Sequence, residues 1–177
     1  GAVHVRIAGD YLYVTAATAD SVVIFSIADL TGTAATVTPI ATLNDGDESS
    51  KMDGVYCSAV VGNYLYVVGN EDRLVIFDIS PLPAAPVLKN EMLINDGTKD
   101  HTNFRWIEIS DGVAYVAASE TDSVVLLKLT DDLGNAIYEN PTFLSVINNG
   151  TGFPSLDNVH NLLVSGDILY VSAPADA

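Results

Sequence analysis

The sequence predicts an all-β chain built from one four-stranded antiparallel unit used again and again, and three observations carry that prediction. A tyrosine motif recurs as "GDYLYV" (9–14), "GNYLYV" (62–67), "DGVAYV" (111–116) and "GDILYV" (166–171). Anchored on Tyr13, Tyr66, Tyr115 and Tyr170, its copies lie 53, 49 and 55 residues apart. An apolar motif follows the first three copies: "SVVIFSI" (21–27), "RLVIFDI" (73–79) and "SVVLLKL" (123–129). A turn motif closes each unit as "LNDG" (43–46), "INDG" (94–97) and "INNG" (147–150). Three motifs in constant order at near-constant spacing define a true internal repeat.

Each unit reads as four strands in order. The first is the segment before the tyrosine motif, such as "AVHVRIA" or "NVHNLLVS". A Gly-Asp or Gly-Asn pair then makes a tight turn into the "YLYV" strand, which is a hairpin signal. A short polar stretch leads to the apolar "VVIF" strand. A more variable strand ends the unit: "ATVTPIATL", "APVLKNEML" or "NPTFLSVI". Val, Ile, Tyr and Thr fill these segments, as a pleated surface prefers. No long stretch keeps a helical period, so no helix is expected.

Four antiparallel strands repeated every 40–50 residues or so is the pattern of a β-propeller. The middle copy of the apolar motif supports it most directly. Leu74-Val75-Ile76-Phe77 has no polar residue at alternate places, so the strand should be covered on both faces, as it is when blades stack radially. A charge at Ile76 should therefore unfold its blade. The repeats fall at approximately 1–49, 50–100, 101–154 and 155–177, the last incomplete after its second strand. About three and a half blades do not close a ring, since propellers have four to eight. The expectation is either a piece of a longer polypeptide or a ring completed by a partner chain.

Composition narrows the function classes. The 177 residues carry 23 Asp and Glu against 7 Lys and Arg, for a net charge of −16. Such a surface repels phosphate backbones and anionic lipid, so nucleic-acid binding is not expected. No apolar run approaches the roughly 18 residues of a spanning helix, so membrane insertion is not expected either. Cys57 is the single cysteine, which excludes an internal disulfide and a CxxC zinc site. The first residues, Gly1-Ala2-Val3-His4, are not a signal peptide.

The pattern V-x-G-[DN]-Y-x-Y-V … L-V-I-x-D-I-S-x-P … P-V, clearest in "VVGNYLYVVGNEDRLVIFDISPLPAAPVLK" (60–88), resembles the bacterial LVIVD-type propeller repeat. "YLYVTAATADSVVIFSI" is similar to the related YVTN repeats. The third repeat departs most, with Ala114 before its tyrosine and "LLKLTDDLGN" in place of the "DIS-x-P" turn. The resemblance implies a bacterial protein that is extracellular, periplasmic or at the cell surface. It fixes a fold and leaves function to the site residues.

In propellers the loops from one blade's outer strand to the next blade's inner strand lie at the mouth of the central channel. Ten residues before each repeat tyrosine stand Tyr56, Arg105 and His160, and His4 joins them with a slip of one. These, with Asp53, His101, Trp106 and Asp157, form the candidate binding face. Asp45, Asp47 and Glu48 cluster in a Gly-containing loop, the donor type calcium takes, although Asn-Asp-Gly is equally plain turn chemistry. "TDDLGN" (130–135) reads as a solvated hairpin tip, and Asn149-Gly150-Thr151 matches a glycosylation sequon. Asp100-His101 and Asp157-x-x-His160 could each orient an imidazole. No GxSxG or HExxH motif is present. The expected role is a non-catalytic binding or structural module whose partner is a protein, a glycan, further copies of itself or the rest of its own parent chain. The alternatives are a lactonase-like or quinoprotein-like propeller enzyme with a metal at the channel mouth, and a subunit of an extracellular filament or surface layer.

Overall fold

A computed structural model describes residues 1–30, 37–47, 51–150 and 156–174. Among them lie three four-stranded antiparallel sheets and one two-stranded sheet, each a simple meander in chain order. The first blade is β1 (Ala2–Ala8), β2 (Tyr11–Ala16), β3 (Ser21–Ser26) and β4 (Ala41–Asn44). The second is β5 (Cys57–Val61), β6 (Tyr64–Val68), β7 (Arg73–Asp78) and β8 (Val87–Leu93). The third is β9 (Phe104–Ser110), β10 (Val113–Ala118), β11 (Ser123–Lys128) and β12 (Thr142–Asn148). The fourth has only β13 (Asn161–Ser165) and β14 (Ile168–Ser172). The inner strands β1, β5, β9 and β13 touch in succession, which is the radial order of a propeller. The chain thus forms about three and a half blades of a partial β-propeller. One element was not expected: a single helical turn, α1 (Ile27–Leu30), follows β3. No helix among the described residues is long and apolar enough to cross a membrane.

The apolar ribbon of the second blade is dry on both sides. Leu74, Val75, Ile76 and Phe77 are all at most 1% exposed. Their side chains alternate: Leu74 and Ile76 enter the core shared with the third blade, and Val75 and Phe77 the core shared with the first. Fully burying such a side chain contributes roughly 1.5–3 kcal/mol. In β3 the same ribbon is covered on one side only. Val22 and Ile24 are buried against the second blade, while Val23 and Phe25 stay half-buried because no blade among the described residues packs on their face. In β11, Val124 and Val125 are sealed and Leu126 is half-buried against the half-blade.

An aspartate clamp ties each blade to the next. Asp20, Asp72 and Asp122 sit with positive φ (46°, 55° and 49°) in the turns before β3, β7 and β11. Their carboxylates accept the backbone N–H of Gly54, Asn103 and Asn158 at 2.8, 2.7 and 2.8 Å. Those three residues, also at positive φ, lie in the loops that enter the next blade. Asp tolerates this left-handed conformation better than most side chains. Gly69 serves the same joint, because a Cβ there would stand 2.7 Å from the Gly54 carbonyl oxygen.

At the opposite end of the blades, the connection 129–141 between β11 and β12 folds back as a strap over the second blade. The Tyr66 hydroxyl donates to the Tyr138 carbonyl at 2.6 Å, the Tyr64 hydroxyl donates to Glu139 Oε1 at 2.8 Å, and Asn90 Nδ2 donates to the Glu139 carbonyl at 2.8 Å. The third repeat's departure from the motif is therefore a structural tie. Within it, Asp131 accepts the N–H groups of Leu133 and Asn135 at 2.9 and 2.8 Å, and Leu133 projects into solvent.

Candidate functional site

The inner strands begin at the end of the blades where the inter-blade loops lie, and there all four blades present side chains to one recess. It is lined by Val3, Tyr56, Arg105, Trp106, His160 and Asn161, with a volume of about 120 Å³. The Arg105 guanidinium carbon lies 4.0 Å from the centre of the Tyr56 ring. Its Nε donates to Ser119 Oγ at 3.4 Å, and that hydroxyl donates to the Asn103 carbonyl at 3.1 Å. The guanidinium thus sits over an aromatic face, a cation–π pair between the second and third blades.

The first blade brings Val3 to this rim. The register of β1 against β2 shifts between Ala2 and His4, so the bulge carries His4 one step further along the channel. There the His4 ring meets Trp106 edge-to-face, 4.7 Å between centroids. His4 Nδ1 lies 3.5 Å from the Ser58 N–H and 3.6 Å from Cys57 Sγ. Burial, and then the Arg6 charge, hold the His4 pKa below its ordinary value, with Glu108 opposing them. Burial pushes the Cys57 thiol up to about 12, so it carries no reactive thiolate at neutral pH. The Ser58 hydroxyl and the Trp106 indole N–H are buried and find no hydrogen-bond partner among the described residues. The channel lining is therefore a polar, aromatic wall with one bridged charge pair, Arg6 and Glu108.

The remaining candidates are dispersed. His101 is fully buried and does not line the recess. Its Nδ1 faces Thr121 Oγ1 at 3.2 Å and Ser123 Oγ at 3.0 Å. Its Nε2 lies 3.3 Å from Asp96 Oδ2, not from Asp100, which instead accepts Asn95 Nδ2 at 2.7 Å. Desolvation by burial lowers the His101 pKa, with Asp96 opposing. Asp53 is exposed beside the clamp, and Asp157 bonds Asn149. Asp45 accepts the Met52 N–H at 2.7 Å, and Asp47 accepts the Asn44 N–H at 2.8 Å. Both acids serve their own loop, and Glu48 lies outside the described residues. No cluster of three His, Cys, Asp or Glu able to hold a metal occurs among the described residues.

Residues 58–93 match the LVIVD repeat. Solved structures of similar shape include the periplasmic gluconolactonase of Pseudomonas aeruginosa, with TM-score 0.66 and 15% identity, over 98% of this chain and 43% of that one. A protein from Lactobacillus plantarum aligns with TM-score 0.67 and 14% identity, over 97% and 50% of the two chains. The computationally designed Ika8 protein aligns with TM-score 0.61 and 12% identity, over 97% and 42%. The chain spans half or less of the length of these structures, and likeness at such identity establishes the fold alone. No curated protein matches the sequence. The repeating blades and buried ribbons make the chain a partial β-propeller, and its second blade carries an LVIVD repeat at residues 58–93.

Proposed function

We propose that the chain acts as a non-catalytic binding module of an exported or cell-surface protein, taking a protein or glycan ligand at the channel-mouth face. The observation that carries this reading is Arg105 placed 4.0 Å over Tyr56, beside His160 from the fourth blade. A flat cation on an aromatic ring, with Trp106 alongside, offers a platform for a sugar face or a planar side chain and leaves amino groups for a polar contact. The resemblance to exported bacterial propellers supports the location.

The test is a panel of neutral and acidic oligosaccharides and of extracellular protein extracts, screened against the native chain and the Tyr56→Ala and Arg105→Ala variants. Binding that both variants weaken tenfold or more supports the reading. Binding that both retain moves the site elsewhere. Hydrolysis of gluconolactone by the native chain would favour the enzyme alternative instead.

A further inference from the structure

Both ends of the arc present apolar sheet faces to solvent. On the first blade, cross-strand pairing stacks Ile7, Leu12 and Phe25 in one row and Val5, Val14 and Val23 in a second. Neither row holds a charge, and Ile7 is 66% exposed. On the half-blade at the other end, Leu163 lies opposite Tyr170, and both are more than half exposed, as is Ile168. Apolar faces of this extent mark interaction sites, because covering them removes unfavourable surface from water.

The second blade shows what covers such a face. One repeat after Leu12, Val14, Val23 and Phe25 stand Leu65, Val67, Val75 and Phe77, identical in type at all four places. There they are at most 1% exposed, sealed in one core with Tyr13, Val22 and Ile24 of the preceding blade. The tyrosine is the constant part of that cover: Tyr13, Tyr66 and Tyr115 each pack into the core shared with the following blade. Tyr170 is the fourth of the series and is 53% exposed, because no following blade exists among the described residues. Two strands are enough to make a joint of this kind. Leu162 of the half-blade and the neighbouring Val159 already seal Ala117 and Val124 of the third blade to 0% exposure.

We infer that the occupant is a second copy of this chain, joined head to tail: the Tyr170 face of one copy packs on the Leu12 and Phe25 face of the other. Each copy carries both halves of the joint, so the contact is made twice, about a two-fold axis along the channel. Two arcs of three and a half blades give roughly seven or eight, within the range of closed propellers. The chain covers half or less of the similar solved structures, so a pair supplies the missing length. The two apolar rows bring no charge into the joint, which spares it a desolvation cost. The net charge of −16 on each copy opposes association, so the pair should tighten as salt rises.

Sedimentation of the native chain over a concentration series is the test, and a pair is the expected species. Ile7→Asp and Tyr170→Asp each place a charge on one face, at positions exposed in the lone chain. Each variant should melt as the native chain does, yet associate roughly a hundredfold more weakly, because the joint would bury that charge. Mixed together, the two variants retain one joint free of either charge, and a pair should reappear. Amides of β1 and β14, which fray in a lone arc, should gain protection as the pair forms. Should either variant unfold, Val5→Asp and Ile168→Asp probe the same two faces. A native chain that stays monomeric up to roughly 0.1 mM overturns the inference and leaves both faces to blades of another polypeptide. A pair that Tyr170→Asp leaves intact, or that mixing fails to restore, overturns the head-to-tail joint. Species that keep growing with concentration overturn the closed pair in favour of an open filament.

Discussion

Arg6 Nη2 lies 3.1 Å from Glu108 Oε2, so the inner strand of the first blade is joined to that of the third across the second. The two residues are 102 positions apart. Arg6 Nε also donates to the Ser58 carbonyl at 3.4 Å, so one guanidinium links the inner strands of the first three blades. The pair is 28% and 19% exposed, which limits its strength by solvent screening. Urea unfolding of Arg6→Ala, Glu108→Ala and the double variant should give a coupling on the order of 0.5–1 kcal/mol. Additive single losses would mean the bridge does not hold the blades together.

The aspartate clamp makes a sharper prediction. Asp72→Ala removes an ionised acceptor from the Asn103 N–H and leaves a residue less suited to φ 55°. The expected loss is about 1.5–3 kcal/mol, from a hydrogen bond to a charged group plus the backbone penalty. Asp72→Asn keeps an amide acceptor and the same backbone tolerance, and should lose less than half of that. Hydrogen exchange at the Asn103 amide reads the effect locally: protection should fall in Ala and largely persist in Asn.

His101 sits at the place in its inter-blade loop that Met52 and Leu156 occupy in theirs, each just before the residue pair that meets the clamp. The other two are apolar plugs, both buried. The folded state lowers the His101 pKa from 6.5, chiefly by desolvation. Below 6.5 the unfolded chain therefore binds the proton first, and folded stability falls as pH drops from there to the folded pKa. His101→Met, borrowing the first loop's plug, should reduce the slope of stability against pH in that window. His4 is lowered in the same direction, so some slope should persist. Asp96 is held low mainly by the Thr98 hydroxyl and acts only at more acid pH. Thermal melts between pH 5 and 7 that superimpose for the native chain and the variant would refute this account.

The repeat register and the doubly buried ribbon of β7 were legible in the sequence because burial on two faces leaves an unbroken apolar run at 74–77. The clamp was legible in principle and missed: an Asp stands immediately before the residue that opens each apolar strand, at 20, 72 and 122. Read alone, each looks like a polar turn residue. The strap was not legible, because its tie is a backbone carbonyl of Tyr138 meeting a hydroxyl 72 residues away, which no local pattern encodes. At the recess, counting back from the tyrosine located Tyr56, Arg105 and His160, but it could not see the bulge that puts Val3 at the rim and turns His4 toward Trp106. Nor could spacing reveal that His101 is fully enclosed.

The double enclosure of β7 has a consequence for how the molecule comes apart. Apart from the Arg6–Glu108 bridge, each blade packs on its immediate neighbours, so cooperativity travels along the arc one joint at a time. Leu74 to Phe77 have a neighbour on either side, whereas β1 and β14 have one. Amide protons in the middle of the arc should therefore be released only when the entire chain opens, and those at its two extremities should trade with solvent through shallow fraying.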